Sequence, residues 1–270
     1  MAGLIQPRLV EVRVGPMGLP GFVWRAPLHV RFEVDRGKNK APNKGKVELF
    51  NLAPQSLALL EQPDLVVMLL AGETFPSLLF VGDLDPGSVS TSRQGVDQIT
   101  TLEAADGRIA YRDRKVATSY PGPIVSSIIL LDVVLSLGLV LGYVAPTLMP
   151  KTFPTGWAFM GRARDALDEL VDAMGGTWSI QDGILELNDP RLPQAGAAVV
   201  ISQATGMRGA PERISSGVKA STKLNPGLRP GRIVSVVSRA VSGFYRCDRV
   251  THVGESSGLV WESHVEGSPL

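Results

Sequence analysis

The sequence is poor in the residues that build metal centres and disulfide frameworks. It has one cysteine, Cys247, and three histidines, His29, His252 and His264, none of which are spaced as a metal pair on a helix. The usual zinc sites need more cysteine and histidine ligands, so we expect no metal and no other cofactor. A lone cysteine forms no intrachain disulfide, which fits folding in a reducing compartment such as a bacterial cytosol.

A charge excess and the standard catalytic motifs are also missing. Lysine and arginine total 27 against 26 for aspartate and glutamate, so no global field attracts nucleic acid or an anionic membrane. The phosphate-binding loop G-x-x-x-x-G-K-[ST], the G-x-S-x-G elbow and the H-E-x-x-H stretch do not occur. Polar residues interrupt the segment 1–14, so we expect no cleaved secretion signal. These absences predict a protein that is not an enzyme.

What is present is a globular, strand-rich pattern. The 270 residues are 44% hydrophobic and include 29 glycines and 20 prolines, a composition typical of a loop-rich globular protein. His29 to Asp35 alternates between polar and apolar residues, and Pro54 suits the first turn of a short helix. Residues 15–27 are rich in glycine and proline and are predicted to form a loop. The predicted strands of this first block are 8–14, 29–35, 46–51, 64–71, 77–83 and 98–105.

The segment 123–144 is nearly all isoleucine, leucine and valine. We expect a buried helix here. The alternative is a lipid-spanning helix that anchors a membrane-associated binding protein, and Asp132 near its middle opposes it at about 2.5–3.5 kcal/mol on insertion scales.

The rest of the chain predicts a compact α+β unit and a second β-rich block. Residues 153–157 are predicted as a loop and 159–174 as an amphipathic helix. Asp182 and Gly183 favour the tight turn of a hairpin between 177–180 and 184–187. The predicted strands of the last block are 198–202, 214–223, 232–237, 243–253 and 260–266. We therefore divide the chain into residues 1–118, 119–195 and 196–270.

Two small groups of residues are candidates for chemistry. Asp83 and Asp85 close a strand and could serve a hydrolase, although a solvated strand end is the favoured interpretation. His252 is near Asp248 and Glu255 in sequence, so a histidine–carboxylate pair is conceivable. A structural histidine is the favoured interpretation of the second group.

Four lysines form a basic turn between two predicted strands. Lys38, Lys40, Lys44 and Lys46 create a local positive patch that could contact an acidic partner surface or nucleic acid. A solvated hairpin tip explains the pattern equally well. Because loops on rigid scaffolds often carry contacts, we expect these lysines to contact a neighbouring protein chain.

Several stretches resemble a known family. Pro42 to Leu52, Val66 to Gly72 and Phe80 to Leu84 resemble the N-terminal barrel of baseplate hub and related tail proteins of contractile and long-tailed phages. Ala158 to Leu187 is similar to the helix-plus-hairpin unit of those hubs. The stretches that resemble the second barrel of the family are 205–211 and 224–231, together with Tyr245, Val250, His252 and Trp261.

The resemblance implies a fold and a structural role. The fold is α+β and mainly β, with two small antiparallel tube-like β-barrels around a helix-plus-hairpin domain. The role is that of a virion baseplate or tail-tip hub, a homotrimer whose pseudo-sixfold ring joins the tail tube to the central spike and continues the channel. The implied partners are the spike protein, the tail tube or distal tail protein, other baseplate proteins and a tape measure protein in the lumen, with no small-molecule substrate. Assembly would take place in the host cytoplasm, and the lysine turn 38–46 would contact a subunit or the tube.

Overall fold

The protein has three units, each built around its own hydrophobic core. Its computed structural model describes residues 8–16, 18–19, 21–84 and 87–270. Strands predominate over helices throughout. The prediction of a mainly β, α+β protein is therefore confirmed.

The first unit is formed by strands and one short helix. Val30, Phe32 and Val34 are buried, as their alternation predicts. The region predicted as a loop contains an additional strand, because Trp24 pairs with Val12 of the preceding strand. The elements are β1 (Leu9–Pro16), β2 (Phe22–Arg25), β3 (Val30–Gly37), β4 (Lys44–Phe50), α1 (Pro54–Leu59), β5 (Leu65–Gly72), β6 (Ser77–Leu84), β7 (Ser90–Gln94) and β8 (Asp97–Ala105).

The middle unit packs two longer helices against small sheets. Its elements are α2 (Arg108–Asp113), β9 (Lys115–Pro121), β10 (Ile124–Val125), α3 (Ser126–Leu137), β11 (Val140–Val144), β12 (Thr152–Phe153), β13 (Gly156–Arg162), α4 (Ala163–Ala173), β14 (Thr177–Gln181) and β15 (Ile184–Asn188). The predicted hairpin is confirmed as β14 and β15, with positive φ at Asp182 and Gly183. The predicted domain boundaries at residues 118 and 195 stay predictions. Ala110, which lies before the first of these boundaries, packs into the core of the middle unit.

Two helix predictions in this unit are corrected. The segment 123–144 is not one helix, because Gly138 takes a positive φ of 71° that ends α3 before β11 begins. Within the described ranges, no helix has both the length and the apolar character that a membrane crossing requires. The helix predicted from Phe159 begins at Ala163, since Phe159 belongs to β13, which pairs with β9.

The third unit is a β-sheet domain. The strand predicted at 214–223 is the second half of a hairpin, in which Ile214 pairs with Gly217 across the turn. Its elements are β16 (Val199–Ser202), the 3₁₀ turn Gln203–Thr205, β17 (Met207–Ile214), β18 (Gly217–Lys223), β19 (Ile233–Val237), β20 (Ser242–Glu255) and β21 (Trp261–Pro269).

One sheet runs through the first and third units. Strand β20 pairs with β3, with Thr251 opposite Asp35, and so joins the two units side by side. The wall strands, as we call them, follow the order β17, β18, β21, β20, β3, β4, β8 and β7, and every neighbouring pair is antiparallel. The path continues from β8 through β6, β5, β1 and β2, which cover the core of the first unit. The sheet also has a branch, in which β19 pairs with β20 and β16 pairs with β19. Among the described strands, no closed barrel forms.

Candidate functional site

The basic turn predicted between β3 and β4 ties the three units together. Lys38 Nζ lies 2.5 Å from a carboxylate oxygen of Asp248, which is on β20 of the third unit. Lys40 Nζ lies 2.6 Å from Asp168 and 3.4 Å from Asp172, both on α4 of the middle unit. These two lysines therefore have intrachain partners.

The other two lysines of the turn lie on the outer face of β4. Lys46 Nζ is 2.8 Å from Glu48 Oε1 on the same strand. Lys44 is exposed, and it forms no ion pair within the ranges that the structure describes. A contact between these lysines and a neighbouring subunit or the tube stays a prediction. Of the four lysines, Lys44 is the one free to form such a contact, because it is exposed and has no ion pair among the described residues.

The outer face of the wall has ion pairs between side chains of opposite charge on different strands. Such exposed pairs contribute about 0–1 kcal/mol each, so their main effect is a polar surface without a dominant charge. Three pairs join neighbouring strands: Arg31 with Glu48, Arg249 with Asp35, and Lys219 with Glu266. A fourth joins Arg208 on β17 to Glu262 on β21, across β18.

A buried ionic junction lies where the three units meet. Arg36 Nη2 on β3 is 2.9 Å from Asp182 Oδ2 at the β14–β15 turn, and their side chains are 1% and 4% exposed. Arg229 Nη1 of the third unit is 3.1 Å from the same oxygen. Arg36 Nη1 also donates to the Leu79 carbonyl at 2.9 Å. Buried charges need this kind of pairing, because an unpaired buried charge costs several kcal/mol.

Polar groups of the first unit complete the junction. Asp106 accepts hydrogen bonds from the backbone N–H groups of Asp182 and Gly183, at 2.6 and 2.8 Å. Asn43 Nδ2 donates to Gln181 Oε1 at 3.1 Å and to Asp106 Oδ2 at 3.3 Å. Burial raises the pKa of Asp106 to about 7, and the nearby charge of Asp182 adds to the rise.

This junction is not evident from the sequence alone, although one signal is present. Arg36 continues the inward-facing series of Val30, Phe32 and Val34 on β3, so an arginine stands where the period requires a core residue. A charged residue at an inward position indicates a buried partner. The sequence did not identify that partner as Asp182.

Asp83 has a structural partner. Its Oδ2 accepts a hydrogen bond of 2.9 Å from the backbone N–H of Ile109, in the first turn of α2. A carboxylate at this position satisfies an unpaired N–H of the helix terminus. Asp85 lies outside the described residues, so the predicted pair of carboxylates is untested.

His252 is a buried histidine, and its contacts agree with the structural role that the sequence favours. Its Nδ1 lies 2.8 Å from Ser263 Oγ, and burial lowers its pKa to about 3, so the ring is neutral. The two carboxylates near it in sequence have other partners: Asp248 binds Lys38, and Glu255 lies near Arg31. Within the described residues, no group of three histidine, cysteine or acidic side chains is placed to hold a metal.

The fold matches those of solved tail proteins over nearly the whole chain. A 43 kDa tail protein of prophage MuSo2 from Shewanella oneidensis is 8% identical, with a TM-score of 0.68 and 97% of each chain covered. A tail protein from Neisseria meningitidis MC58 is 11% identical, with a TM-score of 0.66 and coverage of 97% of this chain and 96% of the other. This chain has the fold of phage tail proteins.

A component of a secretion machine shares the tail-protein fold. The E. coli c3393 protein belongs to the type VI secretion system and exhibits structural similarity to the T4 bacteriophage tail proteins gp27 and gp5. It is 11% identical, with a TM-score of 0.60 and coverage of 96% of this chain and 77% of the other. No family model and no curated protein sequence matches the chain.

The middle unit of this tail-protein fold has an apolar outer surface. On α3, Ile128 and Leu131 are each 52% exposed and Leu135 is 74% exposed, and their spacing places them on one stripe. The acidic residue of the helix, Asp132, accepts a hydrogen bond from the Tyr120 hydroxyl at 2.5 Å. The other face of α3 packs into the core of the middle unit, so the helix is apolar on both sides.

Proposed function

We propose that this chain is a structural hub protein of a phage tail baseplate or tail tip. In this proposal it forms a homotrimer whose pseudo-sixfold ring joins the tail tube to the central spike and continues the tail channel. The match in fold to tail proteins over 97% of the chain supports the tail role. The arrangement of the wall strands supports the ring.

The observation that carries the ring is the division of the wall into two similar halves. Strands β17, β18, β21 and β20 of the third unit form one half, and β3, β4, β8 and β7 of the first unit form the other. Three copies would place six four-stranded sheets around one axis, which is the number that a sixfold tube requires. Each half would thus act as one tube-like domain of the ring.

The two ends of the wall are suited to closing the ring. Strand β7 pairs with β8 and strand β17 pairs with β18, and their outer edges have no further partner strand among the described residues. All five residues of β7 are exposed. Unpaired strand edges favour pairing with another chain. We therefore place β7 of one subunit beside β17 of the next.

The same proposal assigns the partners and the location. We propose the central spike as the partner at one ring face. The fold shared with the c3393 protein, which exhibits similarity to the tail proteins gp27 and gp5, supports a place among such tail components. The tail tube or a distal tail protein, other baseplate proteins and a tape measure protein in the lumen are the remaining proposed partners. The protein would be part of the virion tail and would assemble in the host cytoplasm.

We assign the chain no catalytic role. Asp83 is engaged by the N-terminus of α2, and His252 is buried and neutral. The membrane-anchored alternative required a continuous helix over 123–144, whereas this segment is divided among β10, α3 and β11.

Cross-linking tests the proposed contact between subunits. Cys247 is buried, so cysteines introduced at the exposed positions Ser92 on β7 and Ala210 on β17 can be joined selectively by a short bismaleimide. The double variant Ser92→Cys, Ala210→Cys should give covalent dimers and trimers, whereas a matched pair of Glu61→Cys and Ala210→Cys should not. Equal cross-linking in both pairs, or none in either, contradicts the β7–β17 contact.

A further inference from the structure

A continuous groove crosses the outer face of the wall along β3. It consists of three shallow cavities of about 210, 470 and 450 Å³. The first two share Glu33 and Lys46, and the second and third share Asp35 and Lys44. The cavities therefore form one trough that follows the strand direction.

Main chain forms much of the base of the trough, because Gly45 and Ala104 face the core. Gly45, Ala104 and Ala105 line the central cavity together with charged side chains. A side chain at Gly45 would meet the ring of Phe80 at 2.5 Å, so the core requires glycine here. An extended backbone can lie over such a base without a steric clash.

The net charge of the groove changes sign over two residues. Lys46 lies opposite Glu103 on β8 and Glu33 on β3, and it already pairs with Glu48, so this level has an excess of negative charge. At the next level, Lys44 lies opposite Asp35, whose carboxylate is bound by Arg249 at 2.6 Å.

This second level has an excess of positive charge because Lys44 has no ion-pair partner in the described part of the chain. The two levels are about 7 Å apart, the distance between residues i and i+2 of a strand. The groove thus presents one positive and one negative position at strand spacing.

We propose that this groove binds an extended polypeptide segment with one acidic and one basic residue two positions apart. The acidic side chain meets Lys44, and the basic side chain meets Glu33 and Glu103. Residues i and i+2 of an extended segment lie on one face, so both contacts form together. A nucleic acid fits less well, because the acidic side chains along the groove repel its phosphates.

The inference rests on the proposed function, since it assigns the segment to another component of the tail. The chemistry of this contact does not depend on the oligomeric state. The two proposals therefore fail separately. A monomeric protein that recognises the segment would overturn the ring and keep the groove, and a trimer without recognition would do the reverse.

The test is fluorescence anisotropy with short, threonine-rich, fluorescein-labelled peptides and the full chain. One peptide has aspartate and lysine two positions apart, a second has them adjacent, and a third has two lysines two positions apart. The first should bind about tenfold more tightly than either of the others, a difference of about 1.4 kcal/mol.

Charge reversal supplies the matched control. Lys44→Glu should lose the tenfold preference and should select the peptide with two lysines. Lys115→Glu reverses an exposed lysine on β9, outside the groove, and should bind as the unchanged protein does. Peptide affinities that do not depend on spacing, undetectable binding at millimolar peptide, or a preference for single-stranded DNA would each overturn the proposal.

Discussion

Arg36 and Asp182 form a buried ion pair, with 2.9 Å between Nη2 and Oδ2, across the boundary between the first and the middle unit. Arg229 brings the third unit to the same carboxylate. All three units thus contribute to one charge cluster, which adds to the β20–β3 pairing in fixing their geometry. If the ring depends on the angle between the two halves of the wall, this cluster helps to set that angle.

Removing the charge of Asp182 should destabilise the protein strongly. Asp182→Asn keeps a residue that tolerates the positive φ of 58° at this turn, but it leaves Arg36 and Arg229 without their carboxylate. Loss of one partner of a buried pair costs about 3–5 kcal/mol, so the free energy of unfolding in urea should fall by about 3 kcal/mol.

Asp165→Asn is the matched control for this change. The Asp165 side chain is 53% exposed and pairs with its sequence neighbour Arg164. Its removal should change the free energy of unfolding by less than about 0.5 kcal/mol. Equal losses of unfolding free energy in both variants would show that the buried junction stabilises the protein no more than an exposed ion pair does.

The raised pKa of Asp106 predicts that the stability of the protein depends on pH. Its pKa is raised to about 7 in the folded protein, from an ordinary value of 3.8. The folded state therefore holds this proton more tightly than the unfolded chain does. The stabilisation is fully present below about pH 4 and is lost as the pH rises towards 7, by at most about 1.4 kcal/mol per pH unit.

Other groups titrate in the opposite sense, so the comparison needs a variant. His252, with its pKa lowered to about 3, contributes stability above pH 6.5 that is lost as the pH falls. The difference in unfolding free energy between the unchanged protein and Asp106→Asn, measured from pH 4 to pH 8, isolates Asp106. This difference should shrink as the pH rises, and a constant difference would show that Asp106 does not titrate in this range.

Charge reversal at two lysines of the basic turn should have different effects on the stability of the chain. Lys40→Glu places a negative charge beside Asp168 and Asp172, so thermal or urea unfolding should show a loss of about 1 kcal/mol. Lys44→Glu should leave the stability of the chain within about 0.5 kcal/mol, because Lys44 has no ion pair among the described residues. Similar losses in both variants would show that Lys44 has a stabilising role within the chain.

Local patterns predicted those elements whose periodicity was clear. The alternation of β3 and the positive φ required at Asp182 and Gly183 are encoded within a few residues. Strand β7 was not predicted, because Ser90–Gln94 is entirely polar and has no apolar period. Strand β13 was mistaken for loop and helix, since the helical spacing of α4 obscured the pairing of Phe159 with Thr118 on β9.

The candidate site could be predicted only in part. The lysine turn was visible as a charge cluster, but the assignment of Lys38 to Asp248 and of Lys40 to Asp168 depends on how the units pack. The junction unites Arg36, Asp182 and Arg229, which are far apart in the chain. A single sequence shows that Arg36 needs a partner, and tertiary structure decides which one it has.

The most direct test of the hub proposal is the native mass of the purified protein in detergent-free buffer at micromolar concentration. The proposal predicts a species of three times the 28.8 kDa chain mass. A protein that remains monomeric at every concentration contradicts the self-assembling ring.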